Sequence, residues 1–304
     1  MAKPLIGAIE AGGTKFVLAL MDEAGRIVAE QRIATLTAAE TMPEVIRFFS
    51  EAPSGHGELA AIGVASFGPL DIDPASPTYG TITTTPKPGW SGASFIDWLR
   101  PLGVPLKVDT DVNGAALGEA LSGAGKGCRT LAYTTVGTGI GTGVVRDLRP
   151  MAGFSHYESG HIPVAHDRAR DPFDGLCPYH GDCLEGLAAG PAIRARFGDS
   201  LDAMADPAPA VALISGYLAD LATNLVLLHA PDRLVFGGGV MKAPGLIPAL
   251  RRETARRLAG YVAHLHDDPE LEHYIVSPGL GDEAGITGAA ELARQAIAQR
   301  DAAA

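Results

Sequence analysis

The chain has 304 residues, 46% hydrophobic and 19% charged, with 24 Lys and Arg against 35 Asp and Glu for a formal net charge of −11. This composition suits a globular protein long enough for two compact units and argues against a disordered or fibrous one. The acidic balance repels a phosphate polymer, so no nucleic acid is expected as a partner, while a small nucleotide held by backbone N–H groups and a cation stays open.

Apolar runs at 5–9 and 15–20 are split by Ala11-Gly12-Gly13-Thr14, and Asp22-Glu23-Ala24-Gly25 then turns the chain toward Ile27. The pattern predicts a glycine-bent β-hairpin. Helices are expected over 41–49, 95–102 and 115–121, with strands at 61–65 and 106–108 between them. A second strand-glycine-strand unit follows, with 131–136 and 140–145 flanking Gly137-Thr138-Gly139. Residues 151–188 are rich in His, Asp, Gly and Pro without periodicity, which marks a functional excursion. Beyond it come a helix at 211–228, a strand at 234–236, the loop Gly237-Gly238-Gly239, a helix at 246–258, a strand at 274–276 and an amphipathic helix over 285–299. Alternating strands and helices predict an α/β fold, and the repeated hairpin predicts two related lobes. Residues 1–5 lead into the first strand without a leader's apolar core, and no uninterrupted apolar run approaches membrane-spanning length. A cytoplasmic protein without a membrane partner is expected.

Two nucleotide motifs fail on inspection. In the segment from Gly7 to Lys15 the lysine follows Thr14 rather than the second glycine, which breaks the P-loop order. Gly279-Leu280-Gly281-Asp282-Glu283-Ala284 fits a dinucleotide fingerprint, but too little chain follows for a returning strand and a ribose-binding acid. What survives is three glycine loops able to present bare N–H groups to phosphate oxygens, although each alone reads equally as a tight turn.

Glu10-Ala11-Gly12-Gly13-Thr14-Lys15, the run Asp111-Val112-Asn113-Gly114-Ala115-Ala116-Leu117-Gly118-Glu119, Gly137-Thr138-Gly139-Ile140-Gly141 and Glu158-Ser159-Gly160-His161 occur in this order. With them the chain resembles the ROK sugar kinases over nearly its whole length. The stretch from Tyr79 to Trp90 and the loop Cys177-Pro178-Tyr179-His180-Gly181-Asp182-Cys183 resemble the bacterial fructokinases of that family. The resemblance implies an actin-like (ribonuclease H-like) ATPase fold, two α/β lobes with mixed sheets around a cleft. Residues 1–115 would form a small first lobe joined by the helix 285–304, and 116–284 a larger lobe carrying a zinc-binding loop at 156–185. It also implies a homodimer and transfer from Mg·ATP to the 6-hydroxyl of fructose, with glucose or mannose as alternative sugars. A sugar-sensing regulator is the rival class; those relatives carry a DNA-binding domain ahead of the kinase part, for which the expected start of the phosphate loop by residue 7 leaves no room.

The resemblance also distributes roles. Asp111 is the expected general base, although an acid just before a helix reads on its own as a cap. Gly12, Gly13, Thr14 and Lys15 would form one phosphate loop and Gly137, Thr138 and Gly139 the other. Pro191 and Gly237, Gly238, Gly239, Val240 and Met241 would face the adenosine side. Glu10 stands where many relatives have Asp, and would hold Mg²⁺ through water. The sugar would be gripped by Asn113, Glu158, His161 and Glu185, with Gly68 in a loop closing over it and Thr110 where relatives often have Asn. Taken alone, Glu158 and Glu185 read as solvated acids.

Three cysteines occur, and a reducing compartment makes thiolate chemistry or metal binding a better reading of the close pair than a disulfide. Cys177-x-x-His180-x-x-Cys183 with upstream His161 supplies four zinc ligands. A closed tetrahedral shell has no open position for water, so the zinc is expected to be structural. Cys128 is expected to be a buried thiol, and His156, His166, His264 and His266 to be surface residues.

Overall fold

The computed structural model describes residues 4–303, so residues 1–3 and 304 of the expected lobes lie outside the described residues. The fold divides into two compact units: one takes the chain up to Leu121, Arg149–His156 and everything from Asp282 on, and the other takes Ser122–Leu148 and Tyr157–Gly281. The expected boundary at 115/116 falls inside the helix Asp111–Ser122, and the return of residues 149–156 to the first unit has no counterpart in the expected division.

The first unit is built on a mixed sheet of β1 (Pro4–Ala11), β2 (Lys15–Met21), β3 (Ile27–Ala34), β4 (Glu58–Ser66) and β5 (Leu106–Thr110), in the order β3-β2-β1-β4-β5. The three leading strands form an antiparallel meander, and β4 and β5 join parallel to β1. Alternation with period two sends Leu5, Ile9, Phe16, Leu18 and Leu20 into one core and Ile6, Ala8, Val17 and Ala19 into another. On the first face lie α1 (Ala38–Glu51) and α2 (Phe95–Leu99), with Phe48, Phe49, Phe95 and the fully buried Trp90. On the second lies the last helix, Ala284–Ala303, through Ile286, Ala289, Ala290, Ala293 and Ala296.

That last helix is let in by glycines. A Cβ on Gly63 of β4 would come within 1.9 Å of the Ala289 carbonyl oxygen. One on Gly288 would lie 1.8 Å from the Gly114 oxygen of α3 (Asp111–Ser122), so the two backbones meet where no side chain fits.

The second unit has a mixed sheet in which β6 (Thr130–Val136) pairs antiparallel with β7 (Ile140–Arg146) and parallel with the strand Arg233–Gly237, which in turn pairs parallel with Ile275–Val276. Its helices are α4 (Leu184–Ala188), α5 (Gly190–Phe197), α6 (Ala208–His229) and α7 (Leu246–Leu258), with α6 packed on α4 and α7. Helix α6, with 22 residues, is long and apolar enough by length and composition to cross a membrane, although Ser215 and Asp220 interrupt its apolar run. The composition has a local cause, since Ile214, Leu218, Leu221, Ala222 and Leu225 are buried in the protein. The last helix is α8.

Candidate functional site

In the first unit, β5 ends directly in α3, and the junction carries Asp109, Thr110, Asp111 and Asn113. The capping duty falls to Thr110, whose Oγ1 accepts from the Asn113 N–H at 3.2 Å. Asp111 is therefore the first helical residue and not the cap; its Oδ1 accepts from the Val112 N–H at 2.8 Å. Burial pushes its carboxyl up to about 6, against the pull of the Val112 N–H. Fully enclosed Asp109 receives the Thr110 N–H at 2.8 Å and the Asn113 Nδ2 at 2.6 Å on one oxygen, and burial raises its carboxyl too. Asn113 is thus aimed by a neighbour that sequence reasoning passed over.

Glu10, at the end of β1, is pushed up to about 7 by burial and then by the charge of Asp111, with Asp282 adding to it and Lys15 drawing it down. Gly285 makes room for it, because a Cβ there would lie 2.6 Å from the Glu10 carboxyl carbon. The turn after it is closed by the Gly12 N–H on the Lys15 carbonyl at 3.0 Å, with Gly13, Thr14 and Lys15 exposed. Gly68 lies in the loop after β4. Glu10, Gly12 to Lys15, Gly68, Thr110, Asp111 and Asn113 are therefore all carried by this one unit.

The second unit gathers the other glycine loops. The hairpin turn closes through the Gly137 N–H on the Gly139 carbonyl at 2.9 Å, and the Gly190 N–H at the start of α5 reaches the Gly137 carbonyl at 2.7 Å. Pro191 fits there because the first turn of a helix needs no N–H from it. Gly238, at φ +92°, sits so close to Val136 that a Cβ would lie 2.4 Å from its carbonyl oxygen. Val240 and buried Met241 open the turn beyond Gly239. Thr138 and Gly239 are exposed. Gly137 to Gly139, Pro191 and Gly237 to Met241 thus form one neighbourhood of bare backbone.

Beside it stands the Cys/His group. The ligand atoms of His161, Cys177, His180 and Cys183 all lie within 4.8 Å of one another. His161 Nδ1 is 3.7 Å from Cys177 Sγ and 3.5 Å from Cys183 Sγ, and His180 Nδ1 is 3.6 Å from Cys177 Sγ. Tetrahedral zinc, with its usual bond lengths, sets sulfur and nitrogen ligands about 3.6 Å apart, so the donor set fits. Burial pushes the Cys183 thiol up to about 11, a cost that a dication relieves by displacing the proton. The other ring nitrogen of His161 faces Glu185 Oε1 at 3.9 Å, while Glu185 Oε2 accepts from the Ile140 N–H at 2.9 Å. Glu185 therefore ties the Cys/His group to the glycine hairpin, with Gly139 leaving room for it. Glu158 is exposed, and its carbonyl accepts from the His161 N–H at 2.9 Å.

Two histidines correct the surface expectation. The His166 side chain is buried, with one ring nitrogen 2.9 Å from Asp182 and the other 2.9 Å from the Asp171 carbonyl. His156 is half-buried in the first unit and accepts from the Leu70 N–H at 3.2 Å. His264 and His266 are exposed as expected, while Cys128 is half-buried and not buried.

Residues 6–296 match the ROK family. A fructokinase of Zymomonas mobilis subsp. mobilis is 46% identical over 297 residues, covering 96% of this chain and 97% of that one. Among solved structures, a ROK hexokinase from Thermus thermophilus superposes with a TM-score of 0.80 at 27% identity, covering 97% and 99% of the two chains. A ROK family glucokinase from Streptomyces griseus, in complex with glucose and AMPPNP, gives 0.71 at 26% identity over 96% and 99%. The class so defined is an ATP-dependent sugar kinase of actin-like α/β fold. Within that class, the chain belongs to the ROK family.

Proposed function

We propose that this kinase transfers the γ-phosphoryl group of ATP to the 6-hydroxyl of fructose, with Asp111 as the general base. The observation that carries the reading is the state of Asp111: relieved of capping by Thr110 and raised to about 6 by burial, it is ionised near neutral pH yet basic enough to take an alcohol proton in the transition state. One of its oxygens is engaged by the Val112 N–H, so the other, Oδ2, accepts the proton as the sugar oxygen attacks the phosphorus. Transfer is then a matter of alignment and charge neutralisation. The turns Gly12 to Lys15 and Gly137 to Gly139 would hold the phosphates through the N–H groups they leave open, those of Gly12 and Gly137 closing the turns themselves, and Pro191 with Gly237 to Met241 would hold the adenosine. Glu10 would hold Mg²⁺ through water. Asn113, Glu158, His161 and Glu185 would receive the sugar hydroxyls, with Gly68 in the loop that closes over them and Thr110 beside the base.

His161, Cys177, His180 and Cys183 would hold structural zinc, which would cross-link the turn after Glu158 to the loop that leads into α4 and Glu185. Fructose as the substrate follows the relative's name and its 46% identity. Initial rates with fructose, mannose and glucose in Mg·ATP test it: fructose should give the highest kcat/KM, and a preference for glucose or mannose ends the fructose assignment. Sedimentation velocity tests the homodimer.

A further inference from the structure

We infer that His156 is a positioning residue, which braces the Gly68–Leu70 loop beside the Asp109 and Asp111 carboxylates and thereby sets how tightly the first unit grips the sugar. This rests on the reading of Asp111 and Gly68 given above and goes beyond it to a residue with no assigned role.

The placement of His156 is unusual for its position in the chain. Residues on both sides, up to Leu148 and from Tyr157, belong to the second unit, whereas Arg149–His156 belongs to the first. The chain thus makes an excursion whose last residue is this imidazole. Its Nε2 accepts from the Leu70 N–H at 3.2 Å, so the neutral ring carries its proton on Nδ1. A Cβ built on Gly68 would lie 3.8 Å from Nε2 and 3.9 Å from Cε1, so the ring lies against the loop at Gly68 as well as at Leu70. The ring is also near enough to both acids that its protonated form, in which the bond to Leu70 is given up, would draw the Asp109 and Asp111 carboxyls down against their burial. One side chain therefore links the loop after β4 to the acid pair of the β5–α3 junction. Phe67, just before the loop, packs edge-on against Trp90 with ring centroids 5.3 Å apart, so tryptophan emission can follow the loop.

The test uses the full chain with His156→Ala, His156→Asn and His156→Gln. Glutamine can set an amide oxygen where Nε2 stood and accept from Leu70, but carries no charge; asparagine is too short to reach. Sugar binding is read without nucleotide, by tryptophan fluorescence titration with whichever of fructose, mannose and glucose gives the highest kcat/KM. KM for sugar and for Mg·ATP is measured alongside. The alanine and asparagine variants should weaken sugar binding and raise sugar KM about five- to tenfold, the worth of one lost hydrogen bond, with the KM for Mg·ATP unchanged. Glutamine should restore most of the loss. Sugar binding unaltered in the alanine and asparagine variants overturns the inference, as does a glutamine variant no better than alanine or a parallel rise in the KM for Mg·ATP. If alanine and asparagine both fail to fold, glutamine alone decides: near-normal sugar binding sustains the inference and weakened binding overturns it. Asp111→Asn, assayed alongside, separates the two claims. Normal turnover in that variant removes the base, while the fluorescence titration still judges His156.

Discussion

The acids of the first unit and the Cys/His group of the second are fixed by opposite means. Asp109 and Asp111 stand where a strand runs straight into a helix, and backbone N–H groups and Asn113 hold them without further help. His161, Cys177 and His180 sit on a three-residue 3-10 turn and loops, and Cys183 precedes the short α4; there a bound cation is the natural cross-link. Regular structure fixes the acids; the Cys/His group lies on a turn and loops, where the proposed metal would supply the cross-link.

The largest break in that contrast should come from Asp111→Asn, which keeps the acceptor for Val112 N–H but removes the base. Turnover should fall about a thousandfold with the fold intact, as steady-state rates and circular dichroism would establish. The same variant has a second, opposite signature. The folded carboxyl lies near 6 against an ordinary value of 3.8, so between about 4 and 6 the unfolded chain gives up a proton that the folded protein keeps. Asp111 thus costs stability as pH rises through that window, fully so above it. Asp111→Asn should accordingly unfold at a higher temperature than the parent at pH 8, by roughly 1–3 kcal/mol, and show no gain at pH 4. In the parent, kcat/KM should rise with pH through a limb centred near 6.

Next in size is the metal. Elemental analysis should find about one zinc per chain, and chelation or Cys177→Ser should lower the melting temperature and open residues 161–187 to proteolysis. Active protein free of zinc would defeat that prediction. Gly288→Ala should cost about 3 kcal/mol in denaturant unfolding, because the added methyl meets the Gly114 backbone and not a side chain that can turn away. The smallest effect is Thr110→Ala, which removes one cap and should cost about 1 kcal/mol.

Much of this was legible in the chain. Both glycine hairpins, the apolar runs of β1 and β2 and the helix Leu246–Leu258 follow from local pattern, and the Cys/His spacing named a ligand set that the fold does bring together. Helix α5 was missed because Gly190-Pro191 reads locally as a break, and only the Gly190 bond to Gly137 makes it a helix start. His156 and His166 were taken for surface residues because nothing in their neighbourhoods announces Leu70 or Asp171, partners set by tertiary folding. Asp109 escaped for the reverse reason: its task is to serve Asn113, and a residue that acts through another leaves no motif of its own.

The helix Ala284–Ala303 covers a face of β1, β2 and β4, yet it is translated only after the whole of the second unit. Until those final turns leave the ribosome, Ile6, Ala8, Val17 and Ala61 have no cover from them. The nascent sheet of β1 to β5 must therefore travel with one greasy side bare, a natural hold for a chaperone, and it can close only after the second unit has been made.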